Sequence, residues 1–267
     1  MKITLLGTGT SHGIPVMGCQ CKVCQSADPR DKRLRTTALV ETDSTCVLID
    51  CGPDFRQQML SIGMARDIDG CLITHEHYDH VGGIDDLRPF SYRQKLTLYA
   101  DDYAATHLEQ RLPYCLVRNV YPGVPQLELK RIAPLDHFQI GDIPVTALKV
   151  MHGDLPILGY RLGDMAFITD MKTMPEEEWE LLKGVKLLIV NALRFKPHRT
   201  HQSIEEAIEF AQRVGAQETY LTHMCHDAGL HAETDAALPA GIHLAYDGLC
   251  LELLDEETGS HVEVHSK

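Results

Sequence analysis

Thr74-His75-Glu76-His77-Tyr78-Asp79-His80 follows the apolar run Gly70-Cys71-Leu72-Ile73 and precedes Val81-Gly82-Gly83. The run reads as a short buried strand, so the histidine-rich stretch leaves it at one end. Three imidazoles and an added carboxylate so close together make a poor core. Each buried ring needs partners for both nitrogens, and an unpaired buried Asp is costly. A metal ion resolves both problems, because neutral imidazole and carboxylate are natural ligands of Zn²⁺ or Mn²⁺. A solvated histidine-rich turn is the plainer alternative, and H-x-H-x-D-H is too specific a spacing to favour it.

Upstream, Thr37-Ala38-Leu39-Val40-Glu41 and Cys46-Val47-Leu48-Ile49-Asp50-Cys51-Gly52 read as paired strands about a turn at Asp43-Ser44. Asp50 stands at a strand end before Gly52, where a structural or supporting role is favoured over ligation. Ile3-Thr4-Leu5-Leu6 opens the chain as a strand into Gly7-Thr8-Gly9-Thr10-Ser11-His12-Gly13. No phosphate-loop pattern follows, so a tight turn is favoured there. Cys19, Cys21 and Cys24 form C-x-C-x-x-C, a spacing able to face one tetrahedral ion that needs a fourth ligand from elsewhere. Arg30, Lys32, Arg33 and Arg35 are read as a solvated basic face.

Downstream, a helix is expected from about Gly82 to Phe90, another over Asp102 to Leu112, and one starting at Pro175 with acids in its first turn. Three strands deliver a metal-type side chain at their ends: Val145–Val150 before His152, Met165–Thr169 before Asp170, and Glu218–Thr222 before His223. Ser203 with Glu206 makes a capping box for a helix with Ile204, Ala207, Ile208, Ala211 and Val214 on one face. The loop ahead of it, 191–201, is basic. Residues 1–254 are expected to form one domain, with 255–267 a frayed polar tail.

H-x-H-x-D-H followed in order by His152, Asp170 and His223 resembles the metallo-β-lactamase-fold superfamily. That resemblance implies an α/β fold, a four-layer αββα sandwich, here with a small Cys-rich zinc loop. It implies two divalent ions, Zn or Mn with Fe or Ni as options, one held by His75, His77 and His152 and the other by Asp79, His80 and His223. Asp170 would bridge them. The early Cys cluster, with Thr222-His223-Met224-Cys225-His226 late in the chain, is similar to the PhnP-type cyclic phosphodiesterases. There a structural zinc takes three Cys and one His, which maps to Cys19, Cys21, Cys24 and His226, with Cys225 a competing fourth ligand. The same family carries a His that acts on the phosphoryl group, and His201 occupies its place. The implied activity is hydrolysis of a small cyclic or diester phosphate by a metal-bridging hydroxide, with Asp79 and His201 in the catalytic machinery. Arg194 and Arg199 are candidates to bind a second, terminal phosphate.

The formal net charge of −13 argues against long nucleic acid as a partner, since that affinity depends on neutralising many phosphates. A small phosphorylated metabolite is not excluded, because local metal charge outweighs a distant acidic surface. No apolar run reaches the roughly 20 residues of a membrane span. Nine cysteines, an odd number, fit reduced thiols and a cytoplasmic setting. Rival activities are a transfer-RNA 3′-end endonuclease, a thioester or lactone hydrolase, and an oxygenase like that of pyrroloquinoline-quinone synthesis. A non-enzymatic zinc module is the non-catalytic alternative, and a homodimer is allowed.

Overall fold

The computed structural model describes residues 1–63, 66–92, 94–117, 123–254 and 262–265. In chain order the strands of the first half are β1 (Lys2–Gly7), β2 (Thr37–Glu41), β3 (Cys46–Ile49), β4 (Gly70–Leu72), β5 (Leu96–Ala100) and β6 (Leu127–Arg131). Those of the second half are β7 (His137–Ile140), β8 (Ile143–His152), β9 (Leu155–Leu162), β10 (Met165–Ile168), β11 (Leu187–Asn191), β12 (Glu218–Thr222) and β13 (Ile242–Leu244), followed by β14 (Leu249–Leu253) and β15 (Val262–His265). One sheet has the order β15-β14-β1-β2-β3-β4-β5-β6, the other β13-β12-β11-β10-β9-β8-β7. In each sheet an antiparallel meander passes into parallel pairs, at β3/β4 in one and β10/β11 in the other.

The sequence explains this division. The parallel strands β10 and β11 are buried along their whole length and carry continuous apolar runs, as strands covered on both faces must. Ile3, Leu5, Val47 and Leu72 of the first sheet pack against Ala147, Tyr160, Phe167 and Ile189 of the second. The outer face of the first sheet is covered by α1 (Phe55–Ile62), α2 (Tyr78–Val81), α3 (Asp102–Arg111) and α4 (Pro113–Leu116), through Phe55, Met59, Val81, Ala105, Leu108 and Cys115. The outer face of the second is covered mainly by α5 (Ile204–Val214), through Ile204, Ala207, Phe210 and Ala211. The result is the expected αββα sandwich. A last short helix, α6 (His231–Asp235), leads back to β13.

Several local expectations shift. The helix expected over Gly82–Phe90 is instead a 3-10 stretch, Ile84–Ser91, which contains Pro89, and α2 ends ahead of it at Val81. Proline removes the N–H and crowds the preceding turn. The acidic helix is likewise 3-10, over Glu176–Leu182. The capping box at Ser203 and Glu206 forms in full. Part of the tail expected to fray does not: Val262–His265 pairs antiparallel with β14, while 255–261 and 266–267 lie outside the described residues. No helix among the described residues is long and apolar enough to cross a membrane.

Candidate metal centre

The metal-type residues lie at carboxyl ends of strands, where ligands of open α/β sheets collect. Asp50 follows β3, His75 to His80 follow β4, His152 ends β8, Asp170 follows β10 and His223 follows β12. Asp50, Asp170 and His223 have left-handed backbones, with φ of 60°, 56° and 59°. Non-glycine residues rarely hold this conformation, and where they do the surrounding bonds over-determine it. Here it turns the chain sharply at the strand end.

The H-x-H-x-D-H loop is pinned from both sheets. The Tyr160 hydroxyl donates to the Ile73 carbonyl at 2.5 Å, and the Leu158 N–H donates to the Thr74 carbonyl at 3.0 Å. From its own sheet, the Cys51 N–H donates to the His80 carbonyl at 2.7 Å. Gly52 is required by this packing, because a Cβ there would stand 2.2 Å from the Asp79 carbonyl oxygen.

Asp50 is wholly buried and does not face the cleft as a ligand. It accepts from the Thr74 N–H and hydroxyl, each at 2.8 Å, and from His80 Nδ1 at 2.7 Å. The Nδ1–H bond leaves His80 Nε2 with its lone pair. Thr74 Oγ1, having given its proton to Asp50, accepts from His75 Nδ1 at 3.0 Å, which frees His75 Nε2 in the same way. His152 Nδ1 donates to the Asp170 carbonyl at 2.7 Å and lies 3.1 Å from that of Thr200. Three ring tautomers are thus set by a carboxylate, a hydroxyl and a backbone carbonyl.

The free atoms converge. Three sets of potential ligands have atoms within 4.8 Å of one another: Asp79, His80, Asp170 and His223; His75, His77 and Asp170; His152, Asp170 and His201. Asp170 belongs to all three. Its Oδ1 lies 3.2 Å from His80 Nε2 and from His223 Nδ1, and its Oδ2 lies 3.1 Å from His201 Nε2 and 3.9 Å from His75 Nε2. His152 is grouped with His201 rather than directly with His75 and His77, its ring centroid 5.7 and 5.3 Å from theirs.

The electrostatics suit a cation. Burial holds His75 well below the ordinary imidazole range, and it also lowers His152 and brings His223 to about 4, so these rings are neutral at pH 7. For His80, burial opposes the charged form, but the carboxylates of Asp170, Asp79 and Asp50 outweigh it and hold the pKa well above the usual value. Yet His80 Nε2 is buried without a hydrogen-bond partner, although carboxylate oxygens of Asp79 and Asp170 stand 3.2 Å away. A divalent ion among those atoms would supply the positive charge they call for and satisfy the orphaned nitrogen.

His201, two residues before the α5 N-cap Ser203, faces the centre through Nε2. Its Nδ1 lies 3.2 Å from His198 Nδ1 and 2.9 Å from Thr200 Oγ1. Arg194 and Arg199 stand outside the three sets, near Asp227 (3.4 Å) and Asp154 (3.6 Å) respectively.

A second cluster lies apart from the first. Sγ of Cys19, Cys21 and Cys24 lie 3.3, 3.5 and 3.4 Å from His226 Nδ1. These four, and not Cys225, form the set able to hold one ion. The donors, three sulfurs and one nitrogen, match a closed tetrahedral zinc site. The Cys24 N–H hydrogen bond lowers the Cys21 thiol to about 7, while burial raises Cys24 to about 11.

The sequence does not single out Thr74 or Asn191 as site residues, and it marks His198 only as a member of the basic loop with Arg194, Lys196 and Arg199. Only Thr74 carried a signal, as a hydroxyl residue beside the first metal-type His.

The family model for the beta-lactamase superfamily domain matches residues 45–224, more than half of the chain. The chain belongs to the beta-lactamase superfamily. Within it, the chain is similar to a solved structure described as a new diphosphatase from the PhnP family, with 39% identity and a TM-score of 0.88 over 95% of this chain and 98% of that one. A Porphyromonas gingivalis protein named octanoyltransferase is 47% identical over 265 residues, 98% of this chain and 53% of that protein. A ribonuclease Z of Bacillus licheniformis is 32% identical over 169 residues, 61% of this chain and 49% of that protein. The chain thus spans about half the length of these two curated relatives.

Proposed function

We propose that this chain is a dinuclear metal-dependent hydrolase acting on a small phosphoric diester, cyclic or linear. The observation that carries the reading is the position of Asp170, whose carboxylate is common to every group of potential ligands in the cleft. In this assignment Asp79, His80 and His223 hold one ion, His75, His77 and His152 the other, and Asp170 lies between them. Zn²⁺ or Mn²⁺ suits the donors, and so do Fe²⁺ and Ni²⁺. Cys19, Cys21, Cys24 and His226 hold a separate structural zinc. Bound divalent ions would supply Lewis-acid charge and a water of lowered pKa.

The chain's own residues do the rest. Asp50 and Thr74 fix the ring orientations of His80 and His75, and Asp170 holds the two ligand groups in one frame. His201 Nε2 stands at the cleft ahead of α5, where an imidazole can donate to a non-bridging oxygen or protonate the leaving alkoxide. The PhnP-family diphosphatase supports phosphoryl chemistry, since the esterified phosphorus of a diphosphate, with one ester and one anhydride oxygen, is doubly substituted as in a diester. The negative charge favours a small metabolite over long nucleic acid. The free thiols fit a reducing cytoplasm.

Arg194 is proposed to read a second phosphate; its buried Nε without a hydrogen-bond partner supports this. Arg199 joins it from the same loop. R194A and R199A should raise KM for a phosphorylated diester and leave an unphosphorylated one unaffected; KM values unchanged from the wild type for both substrates would remove this assignment.

A second reading, hydrolysis of an acyl ester or thioester, is favoured by the octanoyltransferase relative, although about half of that protein lies outside the match. Metal-reloaded protein should be assayed on bis-p-nitrophenyl phosphate, p-nitrophenyl phosphate and an octanoyl thioester. Diester hydrolysis alone supports the proposal. Thioester hydrolysis without diester hydrolysis replaces it with the second reading.

A further inference from the structure

We infer that Asn191 is a positioning residue that holds Asp170 and His201 in register at the metal centre. The inference rests on the reading of Asp170 as the carboxylate between two ions.

Asn191 ends β11, and its backbone is paired with Thr222, the residue before His223. Its side chain points the other way in the sheet, towards the continuation of β10. The β10/β11 ladder ends at Ile168 and Val190, because the chain leaves the strand and Asp170 takes its left-handed conformation. Without a substitute on β11, the buried Met171 N–H just beyond Asp170 would be unpaired and the Met171 carbonyl would lose its partner on that side. The Asn191 amide supplies both partners. Its Oδ1 accepts from the Met171 N–H at 2.8 Å, and its Nδ2 donates to the Met171 carbonyl at 2.9 Å. The side chain thus continues the ladder for the one residue that follows the carboxylate.

The same Met171 carbonyl accepts from the Gln202 N–H at 3.0 Å, and Gln202 is the neighbour of His201. Met171 is therefore fixed on one side by Asn191 and on the other by the loop that carries His201. Asn191 and Met171 are both fully buried, so water cannot replace these bonds. Asn191 touches no metal-type side chain among these contacts. Its effect runs through the backbone on either side of Asp170, and through Met171 to His201.

Geometry separates the useful variants. Asn191→Asp keeps the volume and an acceptor for the Met171 N–H but sets a carboxylate oxygen against the Met171 carbonyl. Asn191→Ser shortens the side chain and loses the paired contact. Each should be analysed as purified for zinc held by the cysteine cluster, then stripped of metal and titrated with Mn²⁺ by calorimetry. Zinc retention reports that the chain is folded, independently of the His/Asp centre. The inference expects zinc retained as in the wild type, with affinity for the ions of the His/Asp centre lowered roughly 10–100-fold, as for loss of other groups that orient ligands. The kcat should fall with KM little changed. Wild-type Mn²⁺ affinity in a folded variant would overturn it, and so would loss of zinc and Mn²⁺ together in both variants, which would mark Asn191 as a general folding residue. Failure of the wild type itself to bind Mn²⁺ at the His/Asp centre would instead overturn the underlying dinuclear reading.

Discussion

Asp50→Asn tests whether a residue that touches no metal governs metal binding. The carboxylate accepts three hydrogen bonds, from the Thr74 N–H and hydroxyl and from His80 Nδ1. Asparagine retains one acceptor oxygen, sufficient for the Thr74 N–H at Oδ1. Its NH₂ then takes the place of Oδ2 and faces His80 Nδ1, 2.7 Å away in the native protein. Two donors cannot share that distance, so His80 must move its proton to Nε2, the atom aimed at Asp79 and Asp170. A protonated Nε2 cannot bind metal. Loss of a carboxylate that orients a ligand histidine costs roughly 10–100-fold in affinity, about 1.4–2.8 kcal/mol. The effect should fall mainly on the ion held by Asp79, His80 and His223. Calorimetric titration of metal-stripped protein with Mn²⁺ should resolve two events in the wild type and leave one of them weakened in the variant. Unchanged affinities for both would refute the orienting role of Asp50.

Three further outcomes are expected. H201A should lose roughly 10²–10⁴-fold in kcat on a diester while keeping its metal content, the range for a positioned acid or base, checked by steady-state kinetics with elemental analysis. Y160F removes the donor to the buried Ile73 carbonyl and should cost about 1–3 kcal/mol in urea unfolding. In metal-stripped protein, Cys21 becomes a thiolate as pH rises through about 7, and Cys24 only near 11. Iodoacetamide followed by mass spectrometry should therefore label Cys21 first at neutral pH, and reloading with zinc should suppress it.

Much of the site was legible in the sequence because its information is local. H-x-H-x-D-H sits after one short strand, and His152, Asp170 and His223 each end a segment that reads as a strand. The capping box at Ser203 and Glu206 is likewise written within four residues. What escaped reading depends on contacts distant in the chain. Asn191 looks like any strand-end polar residue until β10 and β11 lie side by side and the left-handed Asp170 leaves Met171 in need of partners. His198 reads as one more member of a basic loop until it lies beside His201. The choice of His226 over Cys225 also needed the fold, because adjacent residues at a turn point in different directions. The expectation of a frayed end missed β15, since Val262 and Val264 carry too short an alternation to mark a strand on their own.

The central claim is that Asp170 lies between two ions. Diffraction data collected at the manganese absorption edge from crystals reloaded with Mn²⁺ would test it most directly. The account predicts two anomalous peaks about 3.5–4 Å apart, the spacing of two-metal hydrolytic sites, with one Asp170 oxygen or both in contact with them. A single peak, or a pair that Asp170 does not touch, would contradict it.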